Sequence, residues 1–336
     1  MSKAKTRRPL LRVENLRVEF PTRRGTLVAV DDISFHINEG EVLGVVGESG
    51  AGKSLTGAAI IGLLEPPGRV AGGQINFDGK RIDDIGSEEM RRLRGSQIAM
   101  IFQDPLTSLN PLFTVGRQLT ETIRTHVRIG VREARVRAIE LLDEVGIPAA
   151  DHRVNQYPHE FSGGMRQRVV IALALAANPR LVIADEPTTA LDVSIQAQII
   201  ALLKRLCREH GTSFMLITHD MGVIAETADR VAVMYAGRIV EIGPVQDVIK
   251  RAGHPYTCGL MNSIPVIRHD VDQLIQIDGS MPRLTDIPSG CAFNPRCPKV
   301  LERCCVERPE LVEAGATTVA CWLYDDARRS GAGGAT

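Results

Sequence analysis

The stretch "GESGAGKS", from Gly47 to Ser54, decides the fold of this 336-residue chain. It follows a continuous apolar run, "EVLGVVG" at 41–47, and precedes a helical pattern, "SLTGAAIIGLL". It fits G-x-x-x-x-G-K-[ST], in which glycines let backbone N–H groups close around phosphate oxygens at the start of a helix. We therefore predict a phosphate-binding loop between a buried parallel strand and a helix. The alternative is a plain Gly-rich turn.

Individual roles in this loop follow from the chemistry of phosphate. We expect Lys53 to neutralise the β- and γ-phosphates and Ser54 to ligate Mg²⁺. The other residues expected to surround the phosphates are Gly47, Ser49, Gly50, Ala51 and Gly52.

A second stretch, "LVIADEP" at 181–187, is an apolar strand that ends in two carboxylates. Unpaired buried charge is costly, so packing alone does not explain the pair. We expect Asp185 to hold Mg²⁺, directly or through water, and Glu186 to act as the general base on an attacking water. The alternative is a helix N-cap or a solvated strand end.

Charge and hydropathy limit the class of protein. Lys+Arg and Asp+Glu are both 40, so the balance gives no argument for nucleic acid or an anionic membrane surface as a partner. No apolar core follows the basic N-terminus, and the apolar run "VVIALALAA" is much shorter than the roughly 20 residues of a membrane span. We therefore expect a cytosolic or peripheral chain, and a reducing cytosol makes structural disulfides unlikely.

The stretch "FSGGMRQR" at 161–168 resembles the signature motif of the ATP-binding subunits of ABC transporters. The resemblance covers residues 10–250. Four further family elements occur in the expected order: Phe20 at the aromatic A-loop position, Gln103 in "IFQD" at the Q-loop, Asp192 in "TTALDVS" at the D-loop, and His219 in "ITHD" at the switch histidine.

This resemblance implies a role for each of these residues. Phe20 would stack on adenine, with a core strand residue as the alternative. Gln103 would bridge Mg²⁺ or its water and connect the site to a helical block. His219 would hydrogen-bond the γ-phosphate and orient Glu186, and Asp192 would be the acid of the D-loop.

The signature segment predicts an anion site at a helix start. Ser162, Gly163 and Gly164 combine a serine hydroxyl with helix-start N–H groups. The resemblance implies that two subunits bind head to tail, with this segment of one capping the ATP held by the other. Met165 stands where many relatives carry glutamine, and we interpret it as a branch marker. The residues expected of a competent half-site are all present: Lys53, Asp185, Glu186, His219 and Ser162.

The implied fold class is an α/β P-loop NTPase of the ABC ATPase type. It would contain an antiparallel β subdomain, an inserted helical subdomain and a small C-terminal metal-binding extension. We expect a nucleotide-binding domain at 1–250 with the helical subdomain at 105–178, the extension at 251–325 and a disordered tail at 326–336.

Three stretches resemble the oligopeptide and dipeptide branch of the family: "YPHEFSGGMRQR", "IAMIFQDPLTSLNP" and "HPYTCGLMNSIP". They imply an ATPase, using ATP and Mg²⁺, that powers peptide import as a peripheral subunit on the cytoplasmic face of the cell membrane. Its implied partners are a homologous second ATPase subunit in a heterodimer, two permeases that dock on the helical block after Pro105, and, indirectly, an extracytoplasmic binding protein, with no nucleic acid. The alternatives are a nickel, opine or glutathione importer, an ABC ATPase of DNA repair or translation, and a regulatory module.

Cysteines concentrate in "GCAFNPRCPKVLERCC" at 290–305, and the C-x₂₋₄-C pairs of zinc fingers are absent from it. A C-terminal extension of the peptide branch resembles this stretch, and where occupied it carries a 4Fe-4S cluster. Its ligands here would be Cys291, Cys297, Cys304 and Cys321, although Cys305 leaves open which of the adjacent pair binds. Zinc, reduced thiols and disulfides are the alternatives. With no aromatic relay toward the ATP site visible in the sequence, we favour a structural staple over a sensor.

Overall fold

The computed structural model describes residues 8–189, 191–263 and 277–325, and every structural statement below concerns those residues. The expected tail at 326–336 and Ala190 of the D-loop stretch lie outside them. The strands are β1 (Pro9–Thr22), β2 (Gly25–Asn38), β3 (Val42–Val46), β4 (Arg69–Phe77), β5 (Lys80–Arg81), β6 (Ile98–Ile101), β7 (Leu181–Asp185), β8 (Ser213–Thr218), β9 (Arg230–Tyr235), β10 (Arg238–Pro244), β11 (Val312–Ala314) and β12 (Thr317–Val319). The helices are α1 (Lys53–Ile60), α2 (Ser87–Leu93), α3 (Pro105–Ser108), α4 (Val115–His126), α5 (Val131–Glu144), α6 (Ala150–Arg153), α7 (Gly163–Leu175), α8 (Val193–His210), α9 (Met221–Thr227), α10 (Val245–Lys250), α11 (Pro255–Asn262) and α12 (Glu302–Val306).

The chain divides into two compact units, of which the first comprises Met1–Leu11, Ile37–Val42 and Phe77–Ile217. Within it β6, β7 and β8 lie side by side and parallel. Every residue of β7 and β8 is buried, as the apolar composition of a parallel sheet predicts. The carboxyl end of β7 is the position at which open α/β sheets bind ligands.

A block of helices, α3 to α7, belongs to the same unit. Helix α4 buries Val115, Leu119 and Ile123 along one face, and α7 packs against α3, α4 and α5. The sequence has helical patterns at 115–127, 131–146 and 163–178, and these correspond to α4, α5 and α7. Each helix ends one to three residues before its pattern does.

The second unit comprises Arg12–His36, Leu43–Asn76 and Thr218–Thr336. One of its sheets has the order β2-β1-β4, and another has the order β11-β12-β10-β9-β3. Strand β3 runs parallel to β9, whereas β10 runs antiparallel to both β9 and β12. Glu241 of β10 lies opposite Val319 of β12. The C-terminal region, described at residues 251–263 and 277–325, therefore continues the sheet that contains β3.

None of the helices in the described ranges is long and apolar enough to cross a bilayer.

Candidate functional site

The phosphate loop joins β3 to α1 in the second unit. Gly50 and Gly52 have φ values of +84° and +99°, a backbone conformation that side-chain-bearing residues rarely adopt. A Cβ on Gly47 would lie 2.2 Å from the carbonyl oxygen of Met234, which leaves room for hydrogen only. Gly52 caps α1 without a side-chain acceptor, so the N–H groups of the first turn point into the loop.

Lys53, the first residue of α1, turns back over this loop. Its Nζ donates to the carbonyl oxygens of Gly47 at 2.8 Å and Glu48 at 3.0 Å, and the residue is only 5% exposed. An ammonium group held there supplies positive charge inside the ring of loop amides. Ser54 and Ser49 are exposed, which suits contact with a ligand.

Phe20 lies on β1 in the same unit and is half-buried. Its ring packs closely on Gly68, where a Cβ would come within 2.7 Å of Cε1. One part of the ring is therefore packed and another is accessible, so both interpretations of this residue stay open.

The acidic pair follows β7 in the first unit. Asp185 is 7% exposed, whereas Glu186 is partly accessible and has a φ of +46°. A left-handed conformation is uncommon for a residue with a long side chain, and such strain concentrates at functional positions. The backbone N–H of Glu186 donates to the carbonyl of Ile217 at 2.9 Å, which helps to hold this conformation.

Gln103 and Glu186 come together although 83 positions separate them. Gln103 Nε2 donates to Glu186 Oε2 at 3.0 Å, and the Thr189 hydroxyl donates to the same oxygen at 2.8 Å. The two donors orient the carboxylate and leave its other oxygen, Oε1, outside both contacts. The sequence reasoning assigned no role to Thr189, although its three-residue spacing from Glu186 was visible.

The signature segment opens α7, as the sequence predicts. Ser162 is the N-cap residue, and its hydroxyl accepts from the N–H of Met165 at 3.4 Å. Ser162 and Gly163 are exposed, and a Cβ on Gly164 would lie 2.6 Å from Ile195 of α8. The helix start thus combines close packing on one side with accessible donors on the other. Asp192, the residue before α8, is also exposed.

His219 follows β8 and is exposed in the second unit. The next residue, Asp220, caps α9 by accepting from the N–H of Gly222 at 2.7 Å. The cap fixes the chain direction at the point where the His219 side chain leaves it.

The four cysteines proposed as ligands line one small cavity together with His254 and Phe293. The four are Cys291, Cys297, Cys304 and Cys321. No three sulfur atoms among the described cysteines lie within 4.8 Å of one another, so they are not gathered around a single-ion site. Cys305 is exposed and does not line the cavity, whereas Cys304 is 7% exposed. Burial raises the pKa of the Cys291 thiol to about 11, and neighbouring thiols contribute to the rise.

The helical block exposes apolar side chains next to Gln103. Leu106 and Leu112 are 63% and 78% exposed. Large exposed apolar side chains in a short segment are typical of a protein-binding surface.

Comparison with known families gives two matches along the chain. Residues 30–189 match the ABC transporter family, and residues 240–304 match the family described as oligopeptide/dipeptide transporter, C-terminal region.

Curated relatives cover almost the whole chain. The oligopeptide transport ATP-binding protein AppD of Bacillus subtilis is 48% identical over 94% of this chain and 97% of its own length. The dipeptide transport ATP-binding protein DppD of the same organism is 48% identical over 94% and 95%. The oligopeptide transport ATP-binding protein OppD of Salmonella typhimurium is 50% identical over 88% of each.

Solved structures of ATP-binding cassettes also resemble this chain. The ATP-binding cassette MJ0796, in a dimeric post-hydrolysis state bound to ADP and Pi, is 29% identical, with a TM-score of 0.63 over 70% of this chain and 98% of that one. A second neighbour, cbiO1 from Clostridium perfringens, is 31% identical, with a TM-score of 0.63 over 72% and 91%. The fold class predicted from the sequence, that of an ABC ATPase, is confirmed. The chain therefore belongs to the ABC transporter ATP-binding proteins, in the branch of the oligopeptide and dipeptide transport subunits.

Proposed function

We propose that this chain is the ATP-hydrolysing subunit of an importer of oligopeptides or dipeptides. The observation that supports it most is the near end-to-end similarity to transport subunits of that branch, at 48–50% identity. The separate match of residues 240–304 to the C-terminal region of those transporters supports the same cargo class.

The proposed chemistry assigns one role to each motif. Lys53 and the loop amides would bind the β- and γ-phosphates. Ser54 and Asp185 would hold Mg²⁺, which would supply positive charge at the phosphates. Glu186 accepts a proton from the attacking water. The donors on its Oε2 support this role, because they keep the carboxylate in one orientation.

Three further residues complete the proposed site. Gln103 would bridge Mg²⁺ or its water and connect the site to the helical block. His219 would hydrogen-bond the γ-phosphate and orient Glu186. Phe20 stacks on the adenine ring, for which the accessible part of its ring is suited.

We propose that the working unit contains two ATPase subunits bound head to tail. Ser162, Gly163 and Gly164 of one subunit would cap the ATP of the other through a helix start, next to Asp192. The second subunit would be a homologue of this chain, which makes a heterodimer. Two permeases would dock on the helical block around Leu106 and Leu112, and an extracytoplasmic binding protein would select the cargo.

Transport by the reconstituted importer tests this function. The chain is assembled with its partner ATPase and permeases in vesicles, and uptake is followed with a labelled dipeptide and a labelled oligopeptide in separate assays. ATP-dependent uptake of either one that fails with Lys53→Ala supports the proposal. Uptake of nickel, an opine or glutathione, without either peptide, would refute the cargo class.

We also propose that the cysteine-lined cavity holds a 4Fe-4S cluster. What supports it is that the four thiols line one cavity without three of their sulfur atoms lying within 4.8 Å of one another, and that cysteine thiolates are the usual ligands of such clusters. Iron and acid-labile sulfide in anaerobically purified protein measure its presence. We expect Cys291→Ser to lose both, and the matched control Cys305→Ser to keep both. Zinc without sulfide in the wild type would refute the cluster.

A further inference from the structure

Glu48, the second residue of the phosphate loop, is held by two side chains of the C-terminal region. Its backbone N–H donates to the Tyr256 hydroxyl at 2.9 Å, and its carboxylate accepts from Arg296 Nη1 at 3.0 Å. These partners lie 208 and 248 positions away in sequence. The C-terminal region thus contacts the loop at a main-chain and a side-chain group of one residue.

Arg296 is fixed by more than this ion pair. Its side chain is 8% exposed, and Nε donates to the carbonyl oxygen of Asp278 at 2.8 Å. The guanidinium carbon lies 5.8 Å from the ring centre of Tyr235 and 5.9 Å from that of Phe293. An arginine with this many partners loses little freedom when it pairs with Glu48, and its burial reduces screening of the pair by solvent.

Tyr256 is fixed in a similar way. It is fully buried, and its ring centre lies 4.7 Å from Tyr235 and 5.4 Å from Phe293. Phe293 also lines the cysteine cavity, so one aromatic cluster joins that cavity to the residue that holds the loop amide. The sequence by itself shows no such aromatic connection toward the phosphate loop, because these rings meet only through folding.

The position of Glu48 affects the ligand-binding part of the loop. The carbonyl oxygens of Glu48 and Gly47 are those that accept from the Lys53 ammonium. Tyr256 and Arg296 fix the position of Glu48 through its N–H and its carboxylate. They therefore also help to fix the two carbonyl groups that bind the Lys53 ammonium. A loop ordered before binding loses less conformational entropy when it closes around phosphate, and this raises affinity.

We propose that Arg296 and Tyr256 are positioning residues of the phosphate loop, through which the C-terminal region sets the affinity of the chain for MgATP. The proposal rests on the ATP site proposed above and adds to it a control element outside the cassette motifs. It assigns the C-terminal region a part in nucleotide binding, in addition to any structural role of its cysteines.

A double-mutant cycle on the full-length chain tests the ion pair. MgATP affinity is measured by equilibrium titration of wild type, Arg296→Ala, Glu48→Gln and the double variant. We expect each single variant to raise the Kd about five- to tenfold, which is the scale of one partly buried charged contact. The double variant should bind MgATP no more weakly than the weaker-binding single variant, because the two substitutions break the same ion pair.

Two further variants separate positioning from simple loss of fold. Tyr256→Phe removes one hydroxyl and keeps the ring, and we expect about a two- to fivefold rise in Kd for MgATP. Arg303→Ala is the matched control, since Arg303 pairs with Glu307 and Asp325 in the same C-terminal region and is not a partner of Glu48. In the assembled importer, the KM for ATP should rise for Arg296→Ala and Tyr256→Phe at a nearly unchanged kcat, and Arg303→Ala should change neither.

The outcomes are distinguishable. Wild-type chain that does not bind MgATP would refute the ATP site and the positioning role together. Wild-type binding with an unchanged Kd in Arg296→Ala and Tyr256→Phe, accompanied by a lower melting temperature, would refute only the positioning role and make Arg296 a structural staple. If Arg296→Ala does not fold, the Kd of Tyr256→Phe decides the question.

Discussion

Replacing Glu186 by glutamine removes the proposed general base at almost constant shape. The Oε2 atom of Glu186 accepts from Gln103 at 3.0 Å and from the Thr189 hydroxyl at 2.8 Å. An amide oxygen at that position can accept both hydrogen bonds, so we expect the free energy of unfolding to change by about 1 kcal/mol or less. The amide group cannot take the proton of the attacking water.

The expected loss is therefore confined to turnover. Removing a general base costs about 10²- to 10⁴-fold in rate, which is about 3–5 kcal/mol in the activation barrier. The assay measures phosphate release by the assembled importer at saturating MgATP, beside equilibrium binding of MgATP. We expect turnover to fall by that factor in Glu186→Gln while the Kd stays within about threefold.

Thr189→Val serves as a graded control for this prediction. It removes one of the two donors but leaves the carboxylate, so the base remains and only its orientation loosens. We expect a loss of about tenfold in turnover, the scale of one hydrogen bond to a charged group. Turnover of Glu186→Gln at the wild-type rate, or at the level of Thr189→Val, would refute the assignment of Glu186 as the base.

Three further predictions concern the loop and the fold. Gly47→Ala should weaken MgATP binding more than about tenfold, because its methyl group would lie 2.2 Å from a carbonyl oxygen. In the control Gly72→Ala the added methyl group meets only ordinary contacts at 3.6 Å, so this variant should bind MgATP normally in the same titration. Glu241→Ala should lower the free energy of unfolding, measured in urea, by about 2–5 kcal/mol. The reason is that the buried carboxylate of Glu241 accepts hydrogen bonds from the N–H groups of Gly253 at 2.8 Å and His254 at 3.0 Å. A change under about 1 kcal/mol, the scale of an exposed contact, would contradict this. Burial lowers the pKa of His254 to about 4, so the unfolded chain takes up this proton first as the pH falls below about 6.5, and the native state should lose up to about 3 kcal/mol by pH 4. Urea unfolding between about pH 6.5 and pH 4 should show this loss of unfolding free energy in the wild type but not in His254→Asn. Equal pH profiles of the two proteins would contradict the prediction.

The local features of this protein can be predicted from the sequence, because the residues that form each of them are neighbours along the chain. The phosphate loop needs glycines, Lys53 and Ser54 at fixed spacing between a strand and a helix, and the structure has β3 and α1 at those places. The helices after Pro105 follow from the period of their apolar residues, which the sequence displays directly. The residue at which each helix ends is not shown by this period, because the last turn depends on the residues that cap it.

Contacts between distant residues could not be predicted in the same way. The sequence reasoning left Arg296 without a role, and nothing near it indicates that it pairs with Glu48. The pair forms because β12 adds to β10 and aromatic rings pack between the C-terminal region and β9, which depends on the whole fold.

Sequence alone determined which chemistry this protein can perform, because phosphate binding and the acidic pair each depend on short motifs whose residues are neighbours along the chain. Tertiary structure alone decided which side chains meet. It joins Gln103 and Thr189 to one oxygen of Glu186, and it turns Cys304 toward the cavity while Cys305 faces solvent. The physical reason is that adjacent residues of a helix point about 100° apart, and α12 has only five residues, too few for an apolar period to show which face will be covered.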